Sequence, residues 1–375
     1  MPTPSPTSPP PPVKTESTRL YSLDVYRGLV MFLLVGEGAA FYHALGKLDA
    51  PWIKPIAHQF EHVAWRGLVM WDVIQPAFMF IVGVSMAFSL RKRRQRGQAW
   101  PTLFRHTLIR CAILFVLGTG LHCLYADRLV FELWNVLTQL SFTILVTFMI
   151  IDFPWKLQVV ISILLILVTD LAYRLIHIAP FDATFVPGRN FGAWMDLQLM
   201  GKVNEGHWVA INAVPTAAHT IWGALAGRWL LSKASPTKKC AVLAAAGALL
   251  IVAGYVMDFT GLAPIIKRIC TSSFVVASGG WCVLALFCLI YDVLKWRWGS
   301  WWVVVVGMNP IAIYLITEAL AWGWLNPKVG IFTGDALANL GVAASLAALA
   351  TATATWALLW SLCVWLYRKN IFIRI

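Results

Sequence analysis

Charge is scarce in this chain. Only 13% of its 375 residues are charged, and 17 acidic residues stand against 30 basic ones. A soluble domain carries about a quarter charged residues, so this sequence cannot cover a water-facing surface of ordinary size. No CxxC pair and no Cys/His cluster at zinc spacing is present, and no metal is expected. The seven cysteines lie mostly inside apolar runs and read as small buried side chains. A P-loop, a dinucleotide fingerprint, HExxH and a GxSxG elbow are all missing, so those enzyme classes lose support. So are the short alternating segments of a β-barrel. Residues 1–18 are rich in Pro, Ser and Thr and hold no apolar core. They are expected to be a disordered cytoplasmic tail, not a signal peptide.

What the chain has instead is apolar length. It is 59% hydrophobic, with a mean hydropathy of +0.71. The apolar residues fall in runs of about 18 to 25, each long enough to cross a hydrocarbon layer roughly 30 Å thick as a helix. An all-α polytopic membrane protein follows, with about ten transmembrane helices in one bundle making up a single domain over 19–375. The helices are expected at about 23–45, 69–90, 104–124, 132–151, 156–178, 209–231, 239–257, 270–292, 300–322 and 340–366. A net charge of +13 on a soluble protein would suggest nucleic acid. Here it matches the Lys/Arg excess of cytoplasmic loops, and no nucleic-acid partner is expected. With the N-terminus inside, about 20 basic residues fall on the inner side and about 10 outside, which predicts both termini cytoplasmic in a cell inner membrane. Trp296, Trp298 and the pair Trp301-Trp302, interleaved with Lys295 and Arg297, read as an interfacial belt. Two outer segments, 46–68 and 180–208, are long enough to be functional, and the second is expected to fold over an external pocket.

Ionisable groups inside a membrane face a cavity or a partner. Asp24 and Arg27 sit one turn apart at the start of the first helix; an ion pair that orients the helix end and a ligand contact both fit. Glu37 lies about 15 Å further along that helix and is read as lining a water-filled cavity. The densest cluster is His58, Glu61, His62, Trp65, Arg66, Asp72, Gln75 and Pro76. If 58–76 is helical, His58, His62, Trp65 and Arg66 share a face. Pro76 would then free the carbonyl of Asp72 at a polar kink. From residue types alone, an interfacial helix end with solvated His and Glu accounts for the same cluster. Asn309-Pro310, Tyr314 and Glu318 form a polar stripe beside a proline, which is either helix glue or cavity lining. Asn135, Gln139 and His219 read as bundle contacts, and Arg110 as a snorkelling side chain.

Several runs resemble a known family. Arg19-Leu20-Tyr21-Ser22-Leu23-Asp24-Val25-Tyr26-Arg27-Gly28 is similar to the opening of the heparan-α-glucosaminide N-acetyltransferase family. So are His62-Val63-Ala64-Trp65-Arg66-Gly67-Leu68 with Asp72, Pro76, Phe78 and Phe80-Ile81-Val82-Gly83. Gly307-Met308-Asn309-Pro310-Ile311 and Tyr367-Arg368-Lys369-Asn370-Ile371-Phe372 complete the set. The resemblance implies a polytopic acyltransferase taking acetyl-CoA from the cytoplasmic side and passing its acetyl group to a sugar amine or hydroxyl of an envelope glycan or glycolipid on the outer side. It places the family's active histidine on His62 and a donor-side arginine on Arg110, and it implies a homodimer surrounded by membrane lipid. The chain departs from the family at Gly36-Glu37-Gly38 and at Leu137-Thr138-Gln139.

The expectation is a catalytic pair of His62 and Asp72 and a donor site at Arg27 and Arg110. Asp24, Glu37, Trp65, Asn309 and Glu318 would line the substrate path. The rival from another class is a transporter or proton-coupled permease using Glu37, Asp72 and Glu318. A non-catalytic membrane scaffold is the third.

Overall fold

The computed structural model describes residues 20–284 and 299–373. The N-terminal tail, Lys295 to Trp298 and Arg374 lie outside the described residues. Among those described there is no β-strand, only one isolated bridge between Ile178 and Phe181.

The helices are α1 (Tyr21–Gly38), α2 (Phe41–Gly46), α3 (Lys54–His58), α4 (Ile74–Gln95), α5 (Trp100–Tyr125), α6 (Val136–Ile150), α7 (Trp155–Leu175) and α8 (Phe191–Met200). There follow α9 (Ala213–Leu230), α10 (Pro236–Phe259), α11 (Ser272–Val283), α12 (Trp301–Gly307) and α13 (Pro310–Ile316). The last are α14 (Asn326–Phe332), α15 (Gly334–Asn339) and α16 (Ala344–Arg368). Short 3-10 turns at Met70–Val73 and Ala210–Asn212 lead into α4 and α9, and a wider-turned π segment spans Thr317–Leu325. Helix starts follow local chemistry. The Asn135 side chain accepts from the Leu137 amide, Asn190 from Ala193 and Ser235 from Lys238, with Pro236 at the first helical position of α10.

The expected count of about ten crossings is not supported. A helix lies within each of the ten stretches. Among the described residues, however, only five helices are long and apolar enough to span a bilayer: Met70–Gln95, Trp100–Tyr125, Trp155–Leu175, Pro236–Phe259 and Ala344–Arg368. A sixth exists if α12 and the helices after it, bent by 79° at Asn309-Pro310, count as one broken span. The reasons are local. The first helix carries Asp24, Arg27 and Glu37 within 18 residues and stops at Gly38, because Ala40 adopts a left-handed φ of 63°. The sixth is only 15 residues long and the eleventh 12. The eleventh falls in the stretch 270–292, whose end lies outside the described residues.

Apolar side chains face outward along the long helices. On α10 only Gly247 and Gly254 are buried, while Leu249 is 69% exposed and Val252 60%. A soluble protein does not present such a face, whereas a helix against lipid requires it. Inside, Met31, Met79, Leu114, Leu140, Ile144, Val305 and Ile313 form the main apolar core. Two glycine contacts set how closely the central helices approach. A Cβ on Gly83 of α4 would lie 2.0 Å from the carbonyl oxygen of Thr220 on α9, and one on Gly223 would lie 2.1 Å from that of Phe80. Gly28 and Gly307 do the same for α1 and α12. Close backbone contact of this kind is how small residues join helices where hydrophobic driving force is absent.

Candidate active site

The segment from His58 to Pro76 is not one helix, which corrects the expectation of a shared helical face. The short helix α3 ends at His58, and residues 59–69 run without helical structure before the 3-10 turn. Tertiary contacts override the local pattern: Phe60 stacks on Tyr42 at 4.1 Å, and the Gly67 amide donates to the Ile265 carbonyl at 2.9 Å. Gly67 has a φ of +128°, which few other residues adopt. Pro76 is the third residue of α4 and so sits in its first turn, where a missing N–H leaves no kink.

This turn brings His62 and Asp72 together. His62 Nδ1 lies 2.8 Å from Asp72 Oδ1, and the Val69 amide donates to Asp72 Oδ2 at 3.3 Å. The Asp72 side chain is 1% exposed and that of His62 38%. A buried carboxylate therefore holds one imidazole nitrogen of a ring that reaches solvent, leaving Nε2 for chemistry. This is the arrangement of a base with its orienting acid.

A third member was not foreseen. Lys267, buried in the connection between α10 and α11, places Nζ 3.2 Å from His62 Nδ1 and 3.4 Å from Asp72 Oδ1. The Lys267 ammonium and the Arg268 guanidinium also lie over the Trp208 ring, at 5.4 and 5.7 Å. Trp208 meets the His62 ring edge-on at 5.6 Å. Trp65 donates its indole N–H to the Phe185 carbonyl at 2.8 Å. The segment 180–208 thus touches this region, through Phe185 on Trp65 and Trp208 on His62 and Lys267.

Burial lowers the pKa of His62, and the Lys267 and Arg268 cations lower it further against the opposing pull of Asp72. Burial also brings Lys267 down to about 8, with Asp72 pulling the other way.

The opposite end of α4 holds a cavity of about 710 Å³. It is lined by Asp24, Arg27, Arg93, His106 and Arg110, with Ser85, Ser89 and Tyr314 among the uncharged groups. Asp24 and Arg27 pair at 3.5 Å, and Arg27 donates to Ser85 Oγ at 2.8 Å. Arg110 has a buried Nε with no hydrogen-bond partner. Three arginines against one aspartate give the cavity lining an excess of positive charge, of the kind that attracts an anion.

The remaining candidates do not line the cavity. Asn309 is buried and binds the C-terminal strand of chain, donating to the Ile371 carbonyl at 3.0 Å and accepting from the Ile373 amide at 2.7 Å. Glu318 accepts from Tyr125 at 2.7 Å. Glu37 sits half-buried in the last turn of α1. His62 does not line the cavity either. Along α4 the lining runs from Arg93 to Phe78, about 22 Å, and stops about 9 Å short of Asp72. Gln75 lies in that gap and donates to Gln139 on α6. Asn135 caps α6 and reaches the Tyr314 hydroxyl at 3.4 Å, and His219 Nε2 lies 3.1 Å from the Val275 carbonyl. These groups join helices, as expected.

An all-helical bundle with apolar faces turned outward defines a multi-pass membrane protein, with a basic cavity at one end of α4 and a histidine–carboxylate pair at the other. The family model described as "Heparan-alpha-glucosaminide N-acetyltransferase, catalytic" matches residues 19–255, and the chain belongs to that family of membrane acetyltransferases. The heparan-alpha-glucosaminide N-acetyltransferase of Mus musculus is 27% identical over 154 residues, covering 38% of this chain and 21% of its own length. That of Homo sapiens is 30% identical over 104 residues, covering 27% and 13%. The matched segments thus span about a fifth or less of those relatives. The family match includes His62, Asp72, Arg27 and Arg110 and ends before Lys267.

Proposed function

We propose that this protein carries an acetyl group from acetyl-CoA, bound in the basic cavity, to an amine or hydroxyl of a sugar that approaches His62 from the other face of the membrane. The observation that carries the reading is the 2.8 Å contact between His62 Nδ1 and buried Asp72. It fixes the imidazole so that Nε2 can remove the acceptor's proton as the new bond to the acetyl carbon forms and the C–S bond breaks. The proton ends on the CoA thiolate. Arg27, Arg93 and Arg110 supply the positive charges that would hold the donor's phosphates, with Asp24 paired to Arg27, and acetyl-CoA is the natural donor for a family of acetyltransferases. An α-linked glucosaminide is the acceptor named in the relatives and is the acceptor to try first. The basic residues at the cavity end support a reading in which that end is cytoplasmic, with both termini there, in the inner membrane of a cell. Lipid surrounds the outward apolar faces.

The test is acetyl-CoA turnover by purified protein in lipid, wild type against His62→Ala. Thioester loss in the wild type, reduced at least a hundred-fold in the variant, is the expected result. No CoA binding and no thioester loss in the wild type overturns the enzyme reading. Equal activity in the variant overturns the role of His62.

A further inference from the structure

We propose that Lys267 is a positioning residue whose ammonium keeps the His62 imidazole uncharged, with its one proton on Nδ1, so that Nε2 stands ready as the base. The inference rests on the acyl-transfer reading for its purpose but not for its test.

The geometry allows few alternatives. His62 Nδ1 lies within reach of an acceptor, Asp72 Oδ1 at 2.8 Å, and a donor, Lys267 Nζ at 3.2 Å. An ammonium has three N–H groups and no lone pair. It can therefore donate to Nδ1 only if that nitrogen is bare. The shorter contact is to the carboxylate, and Asp72 Oδ1 also lies 3.4 Å from Nζ. Both donors, the neutral ring N–H and the ammonium, are thus satisfied together when Nδ1–H and Nζ–H donate to the same buried carboxylate. That leaves the lone pair on Nε2.

Charge works in the same direction. The charged groups acting on His62 are Asp72 before α4 and Lys267 and Arg268 before α11. Glu61, next in the chain, is turned toward Gly46 instead. The Cys270 thiol hydrogen-bonds the Lys267 carbonyl, and burial pushes its pKa up. A histidine beside a lone buried carboxylate would gain a proton easily and would hold it as imidazolium. One fixed cation at 3.2 Å opposes that, and Arg268 adds to it, so the pair Asp72–Lys267 orients the ring without charging it. The ring then accepts a proton only as the acceptor's N–H or O–H breaks, and it gives that proton up to the departing thiolate. Trp208, which covers Nζ and the edge of the ring, keeps the ammonium in place and away from water.

The sign of the pH dependence follows. A pKa held below the ordinary 6.5 of histidine leaves the base active to lower pH. Removing the cation lets the pKa rise, and the neutral form is then lost at higher pH than in the wild type.

Diethyl pyrocarbonate attacks only unprotonated imidazole, and peptide mass spectrometry reads the modification at His62 separately from the other histidines. The expected wild-type midpoint for modification of His62 lies below 6.5. Lys267→Met or Lys267→Gln is expected to raise it by about one pH unit, while Lys267→Arg, which keeps the charge, leaves it near the wild-type value. A wild-type midpoint at or above 6.5 overturns the proposal without any variant. An unchanged midpoint in a folded Lys267→Met or Lys267→Gln protein overturns it as well. Because the reagent needs no turnover, a failure of acetyl transfer is seen separately, in the acetyl-CoA assay.

Discussion

Asp72→Asn is expected to lower acetyl-CoA turnover about a thousand-fold, and adding His62→Ala to it is expected to lower turnover little further. The amide keeps the size of the carboxyl group but can present its NH2 to His62 Nδ1, which forces the ring proton onto Nε2 and removes the base. Losing an orienting carboxylate of this kind costs about 10³–10⁴ in rate in other acid–base sites. The two changes remove parts of one unit, so their effects do not add. With the NH2 in the place of Oδ1, the Val69 amide keeps the amide oxygen as its acceptor while the Lys267 ammonium loses its carboxylate partner, so the stability of the variant is read beside its activity. Turnover of the two single variants and the double variant in lipid, beside thermal unfolding of each, checks this. A double variant slower than either single one by the product of their effects would place His62 and Asp72 in separate roles.

The second large effect is on the fold. Gly83→Leu is expected to prevent correct assembly of the bundle, at a cost of about 3 kcal/mol or more. The Cβ alone would fall 2.0 Å from a backbone oxygen of Thr220 and 2.8 Å from the Ala224 amide nitrogen. Backbone cannot rotate away as a side chain can, so α4 and α9 must part. Because the turn that holds Asp72 leads directly into α4, and α4 carries Ser85 and Arg93 along the cavity, both sites fail together. Unfolding in a mild detergent, followed by size-exclusion chromatography, reads the result. Gly97→Leu is the control: nothing lies within 4 Å of a Cβ there, although its positive φ adds a small local strain.

Much of this was legible in the sequence. Apolar run length placed a helix in each expected stretch, and the outward face of α10 follows from its nearly unbroken apolar run. The count failed where run length is blind. A left-handed Ala40, a proline after Asn309 and three charges on α1 shorten helices that look continuous in composition. His62, Asp72, Arg27 and Arg110 could be named because their types are rare in apolar surroundings. The way His62 meets Asp72 could not, since it depends on a non-helical turn fixed by Phe60 on Tyr42 and Gly67 on Ile265. Lys267 was missed because its partners lie about two hundred residues away in sequence. One signal was available: Lys267-Arg268 is a basic pair in a connection assigned to the outer side, where basic residues are few. Asn309 shows the opposite failure, a rare polar residue that serves backbone pairing with Ile371 and Ile373.

The cavity and the base sit at opposite ends of α4, so the account requires the acetyl group to cross the membrane while CoA does not. Sealed proteoliposomes with a terminal α-glucosaminide trapped inside and labelled acetyl-CoA supplied only outside test this directly, using the protein population whose cavity faces out. The account predicts labelled acetyl sugar inside and free CoA outside, with neither in vesicles holding His62→Ala. Acetylated sugar formed only when acceptor and acetyl-CoA share one compartment would contradict it.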